Sequence, residues 1–92
     1  MEVAIRFSRH AADYIREKRW HPSQEIRELP TGELEIRMTL SGLEEVRRWI
    51  LSWGGHAIVL EPPALAEMVH ASALSIVEAN GARPRGKAAA RN

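Results

Sequence analysis

Hydrophobic and polar positions alternate from the first residues. Val3, Ile5 and Phe7 interleave with Ala4, Arg6 and Ser8, a period of two that predicts a strand with one buried face. Ser8 can cap a helix that runs on through Arg19, with Ala11, Tyr14, Ile15 and Lys18 sharing a stripe. Lys18 can bury its stem there and keep its ammonium in water. Pro22 disfavours helical geometry at His21, so this helix should end by about Trp20. Gln24 to Leu29 is a strand poor in apolar residues, stopped by Pro30 and suited to a sheet edge. After the turn Pro30-Thr31-Gly32 comes the clearest alternation in the chain: Leu34, Ile36, Met38 and Leu40 against Glu35, Arg37, Thr39 and Ser41. These two runs predict a hairpin.

Ser41 and Glu44 have the spacing of a capping box opening a second helix, whose inner stripe is Leu43, Val46, Ile50 and Trp53 with Trp49 flanking. Glu44 and Arg48 are spaced for an i, i+4 pair, and Gly54-Gly55 supplies a left-handed stop. His56 to Glu61 is mostly apolar, the pattern of a strand flanked on both sides and so not at an edge. Pro63 fits the first turn of a third helix that continues to Asn80-Gly81 on a stripe of Leu65, Met68, Val69, Ser72, Ile76 and Val77. The order β-α-β-β-α-β with an extra C-terminal helix predicts an α+β, ferredoxin-like sandwich over residues 1–81. Residues 82–92 lack bulky apolar side chains and read as a basic flexible tail. Both crossover helices should cover one sheet face. The other then presents Arg6, Glu25, Arg27, Glu35 and Arg37, mixed charges able to pair across strands.

The chain has 92 residues and no cysteine, which fits one domain without disulfides and suits a reducing, cytoplasmic setting. Neither a signal peptide nor a membrane span is expected. The formal charge of +1 is uneven, because Arg83, Arg85, Lys87 and Arg91 all lie in the tail. Residues 1–80 keep nine basic against twelve acidic groups, a net of −3. A folded body of that sign is poorly suited to gripping a phosphate backbone unaided.

Candidate chemistry is sparse. None of His10, His21, His56 and His70 lies three or four residues from another, so no metal site is expected. Glu44 and Glu45 diverge on a helix, while Glu33 and Glu35 flank a turn and should face solvent. No nucleophile elbow or phosphate loop occurs, and neither an enzyme nor a cofactor is expected. The three tryptophans, set against one Tyr and one Phe, are the unusual feature. Trp53 is in register for the core, whereas Trp49, one step off the stripe, and Trp20 could each cover a seam against another chain or segment. Trp20 sits in a loop with His21 and Gln24, a set that could grip a nucleobase or a peptide. Equally, Trp20 could cap the helix end while Gln24 satisfies loop backbone groups. A sheet face holding phosphates through Arg6, Arg27 and Arg37 is the alternative, although it lacks the exposed aromatics of RNA-binding sheets.

Several motifs recur together: Val3-x-Ile5-Arg6-Phe7, Arg19-Trp20-His21-Pro22-Ser23-Gln24, Gly32-x-Leu34-x-Ile36, Val46-x-x-Trp49-Ile50-Leu51-Ser52-Trp53-Gly54, and Ala57-x-Val59-Leu60-Glu61-Pro62-x-x-Leu65. Their order and spacing, over about residues 3 to 77, resemble the C-terminal extension (WCX) domain of WYL-domain bacterial transcriptional regulators. The resemblance implies a ferredoxin-like regulatory module that helps to form a homodimer and docks on the WYL and helix-turn-helix domains of its own chain. It also implies a nucleotide or single-stranded DNA effector that this module touches across subunits. The helix-turn-helix and the central Trp-Tyr-Leu segment are missing from this sequence. The expectation is therefore an excised piece of a regulator or the product of a shortened gene, without operator binding of its own. The surface expected to meet ligand or partner comprises Arg6, Trp20, His21, Gln24, Arg27, Arg37 and Trp49.

Overall fold

The computed structural model describes residues 1–81. The chain runs β1 (Glu2–Phe7), α1 (Arg9–Arg16), β2 (Glu25–Glu28), β3 (Leu34–Thr39), α2 (Glu44–Leu51), a single 3-10 turn (Gly54–His56), β4 (Ala57–Glu61) and α3 (Pro63–Asn80). All four strands join one antiparallel sheet in the order β2-β3-β1-β4. The fold is therefore α+β, a four-stranded antiparallel sheet with three helices. Ile5 faces Ile36 and Phe7 faces Leu34 across the β1–β3 pair, so the alternating apolar residues fall on one side of the two central strands. There Val3, Ile5, Phe7, Leu34, Ile36 and Met38 meet Ala11, Ala12 and Ile15 of α1, Val46 and Ile50 of α2, and Leu65 of α3 in one buried cluster.

Local chemistry explains most boundaries. Ser8 is extended and its hydroxyl accepts from the Ala11 amide, the cap expected from the sequence. Gly54 has φ +61° and Gly32 φ +92°, left-handed values that glycine adopts without a Cβ penalty. The Gly32 turn tightens the hairpin between β2 and β3, with the Leu29 amide donating to Glu33 and the Gly32 amide to Leu29.

Six expectations need correction. First, α1 stops at Arg16, several residues short of the limit set by Pro22. The Trp20 indole folds back and donates to the Ile15 carbonyl at 3.0 Å, occupying the acceptor that further helix would have used. Second, Tyr14 is 55% exposed, and Ala12 takes the inner position instead. Third, Leu43 is the cap residue of α2 and no side chain caps it; Glu44 is engaged by Arg47, its i+3 neighbour, in place of Arg48 and the capping box. Fourth, β4 is an edge strand. Its Ala57 and Val59 pack on the core while Ile58 and Leu60 remain exposed. An apolar run shows that both faces are apolar, not that both neighbours are strands. Fifth, the inner stripe of α3 ends near Ser72, and Ile76 and Val77 are exposed. Sixth, Glu35 is buried, on the face opposite the core. The flexible tail expected at 82–92 lies outside the described residues.

Candidate functional site

On the sheet face away from the helices, register sets charged residues in rows. Arg27, Glu35, Arg6 and Ile58 line up across β2, β3, β1 and β4. The Glu35 carboxylate lies 3.3 Å from the Arg6 guanidinium and 3.6 Å from that of Arg27, which buries it between two cations. In the next row Arg37 and Glu61 flank Ala4 and pair at 3.6 Å. Ala4 is fully buried, as a small residue between two long paired ones should be. Arg6, Arg27 and Arg37 are thus each engaged by a carboxylate. A phosphate would have to compete with Glu35 or Glu61 for them. The Arg6 Nε is buried without a partner, so this face is not saturated with hydrogen bonds.

On the helical side, Trp49 and Trp53 pack on Phe7, and Trp20 packs on both of those tryptophans. Ring centroids lie 5.5 Å apart for Phe7 and Trp49, 5.8 Å for Phe7 and Trp53, and 5.1 Å for Trp20 and Trp49. Edge-to-face and tilted geometry of this kind exploits the aromatic quadrupoles. Lys18 places its ammonium 4.7 Å from the Trp20 ring centroid, from the segment beyond α1. Gln24 holds the loop shut: its carbonyl oxygen accepts from the backbone amides of Trp20 and His21. Both residues therefore take the anchoring role weighed in the sequence.

Two serine–histidine contacts were not foreseen. His21 Nδ1 is 2.8 Å from the Ser23 hydroxyl, and His56 Nδ1 is 2.9 Å from that of Ser8. Neither has the setting of a nucleophile and base. The Ser23 hydroxyl accepts from the Thr39 amide at 2.8 Å and also bonds its carbonyl, while Ser8 caps α1. These serines bolt backbone segments together. The His56 ring stacks on His10 at 4.7 Å, and no group of three or more metal-ligating residues occurs among the described residues. At the other end of α1, Arg16 grips Glu28 through two bonds of 2.8 Å, and that hydrogen bonding holds the Glu28 carboxyl below its ordinary range.

A concavity of about 550 Å³ lies where the Trp20 loop, the end of β3 and the first turns of α2 meet. Trp20, Trp49, Met38, Leu40 and Val46 supply apolar lining, and His21, Ser41, Glu44 and Glu45 supply polar groups. Glu44 is committed to Arg47, whereas Glu45 has no ion pair among the described residues. Such a groove suits an apolar or cationic group and disfavours a phosphate. The structure thus brings together Trp20, His21 and Trp49, with Gln24 supporting the loop from within, but leaves Arg6, Arg27 and Arg37 on the other face of the sheet. Sequence reasoning missed the lining by Met38, Leu40 and Glu45. The only available signal was the position of Leu40 to Glu45 just after a strong strand.

Among the described residues, no helix is long and apolar enough to cross a membrane. The chain is similar to Protein PafC of Mycobacterium tuberculosis, from strains CDC 1551 / Oshkosh and ATCC 25618 / H37Rv, with 33% identity over 60 residues in each case. That alignment covers 65% of this chain and 19% of either relative, so it spans about a fifth of their length. The profile of the WCX domain matches residues 1–77, and with most of its length inside that match the chain belongs to the WCX domain family.

Proposed function

We propose that this chain is the regulatory and assembly module of a WYL-type transcriptional regulator, ferredoxin-like in fold, and that it works through contact surfaces and not through turnover or direct DNA reading. The WCX match over residues 1–77 carries this reading. The sheet order β2-β3-β1-β4, antiparallel throughout, supports the fold assignment, because it is what two interleaved β-α-β units produce. The acidic balance of residues 1–80 and the pairing of Arg6, Arg27 and Arg37 with Glu35 and Glu61 support a module that leaves operator DNA to other domains. On this reading it acts in the cytoplasm, pairs with a second copy, and docks on the WYL and helix-turn-helix domains. A nucleotide or single-stranded DNA effector is then sensed jointly with those domains, since among the described residues Arg6, Arg27 and Arg37 are each held by a carboxylate and the groove is lined by Glu44 and Glu45.

The test is a titration of the chain with short fluorescein-labelled duplex and single-stranded DNA at low and high salt. Absence of salt-dependent binding is expected. Tight, salt-sensitive binding that Arg37→Ala weakens would overturn the proposal and favour a nucleic-acid sensor on the open sheet face.

A further inference from the structure

Helical spacing sets a carboxylate beside an indole in the groove next to α2. Glu45 and Trp49 lie one turn apart on that helix, and a long helical side chain leans toward the N-terminus, which draws the Trp49 ring toward the turn that carries Glu45. Trp20 supplies a second indole, its centroid 5.1 Å from that of Trp49 and its plane tilted by 47°. Met38 and Leu40, at the end of β3, add apolar lining. The volume of about 550 Å³ matches pockets for small ligands, which span roughly 300–1,000 Å³. Aromatic faces carry negative potential and attract cations. One of these rings already holds one: the Lys18 ammonium stands 4.7 Å from the Trp20 centroid, although Lys18 does not line the groove.

We propose that this groove binds a small organic cation, an ammonium group on a compact apolar body. Charge decides the sign of the ligand. Glu44 is held by Arg47, but Glu45 makes no ion pair among the described residues. The N-terminus of α2, which no side chain caps, contributes only about half a positive charge, so one whole carboxylate outweighs it. His21, the remaining ionisable group of the lining, accepts the Ser23 amide at Nδ1 over 3.1 Å, a bond that only the uncharged ring can make. An ammonium head thus finds the Glu45 carboxylate and the indole faces together, while Met38 and Leu40 reward an apolar body. The slender stem of a lysine on another protein would cover that lining only in part, which favours a free small molecule. Such binding goes beyond the regulatory reading and does not depend on it.

NMR titration of the full chain with three probes of one size tests this: 2-phenylethylammonium, the neutral 2-phenylethanol and the anionic 3-phenylpropionate. The ammonium should bind about fivefold or more tighter than the alcohol, and the carboxylate most weakly. The indole N–H signals of Trp20 and Trp49 should move further than that of Trp53, which lies outside the lining. Glu45→Gln should bring ammonium and alcohol within about twofold of each other, whereas Glu67→Gln, on exposed surface of α3, should leave the preference intact. Circular dichroism checks that both variants keep the fold. Equal affinity for ammonium and alcohol, tighter binding of the carboxylate, or a preference that survives Glu45→Gln overturns the proposal. So does the absence of any shift at about 10 mM ammonium. A blocked lysine peptide that binds about tenfold tighter than the free ammonium overturns it in favour of protein docking. None of these results bears on the regulatory reading, which falls only on the DNA titration.

Discussion

Replacing Trp20 by alanine separates an anchor from a free contact residue. In the structure the half-buried indole lies 5.1 Å from Trp49 and donates a 3.0 Å hydrogen bond to the Ile15 carbonyl. Losing that bond costs about 1 kcal/mol. Losing the aromatic pair costs ~0.5–1.5 kcal/mol, and returning a half-buried side chain to water about another 1 kcal/mol. The expected loss is about 3 kcal/mol, a large share of the ~4–12 kcal/mol typical of a domain this size. At ~4–8 °C per kcal/mol, Tm should fall by about 12–24 °C. Trp20→Phe keeps most ring contacts and orphans only the Ile15 carbonyl, so it should lose about 1 kcal/mol. Urea unfolding followed by circular dichroism measures both, with unchanged slopes certifying a common mechanism. If Trp20→Ala lost less than about 1 kcal/mol, the loop would not be anchored as described.

Gly32→Ala should destabilise by about 1–2 kcal/mol in the same assay, because φ is +92° and the added Cβ would sit 2.7 Å from the Arg9 Cγ. Glu35→Gln should cost about 1–2 kcal/mol, discounted for the partly exposed arginines around it. It should also free Arg6 and Arg27, so that weak salt-dependent affinity for single-stranded DNA emerges; no gain in affinity would show that Glu35 is not what silences this face. The Glu28 carboxyl is held low by its hydrogen bonds from Arg16, so its contribution to stability is complete above the ordinary carboxylate range and fades as pH falls through the depressed value. NMR titration of the Glu28 side chain should therefore show a midpoint below that of Glu28 in Arg16→Ala, and coincident midpoints would refute the pairing.

The sequence by itself determined the elements and the core. Alternation in Val3-Ile5-Phe7 and Leu34-Ile36-Met38 specifies one buried face whatever the neighbours are, because side chains on a strand alternate by geometry. Ser8, Gly32 and Gly54 act over a few bonds and were equally legible. The WCX resemblance likewise rests on motifs that survive without coordinates. Only the tertiary structure decided how the charges on the open face combine. Glu35 sits between Arg6 and Arg27 through strand register, which joins residues far apart in the chain. The same holds for the edge position of β4, since an apolar run looks alike at the centre of a sheet and at its edge. It holds again for the groove, where the Trp20 loop reaches α2 only because the indole closes the end of α1. Local stereochemistry writes elements into the sequence; pairings between distant elements depend on packing free energy shared across the whole chain.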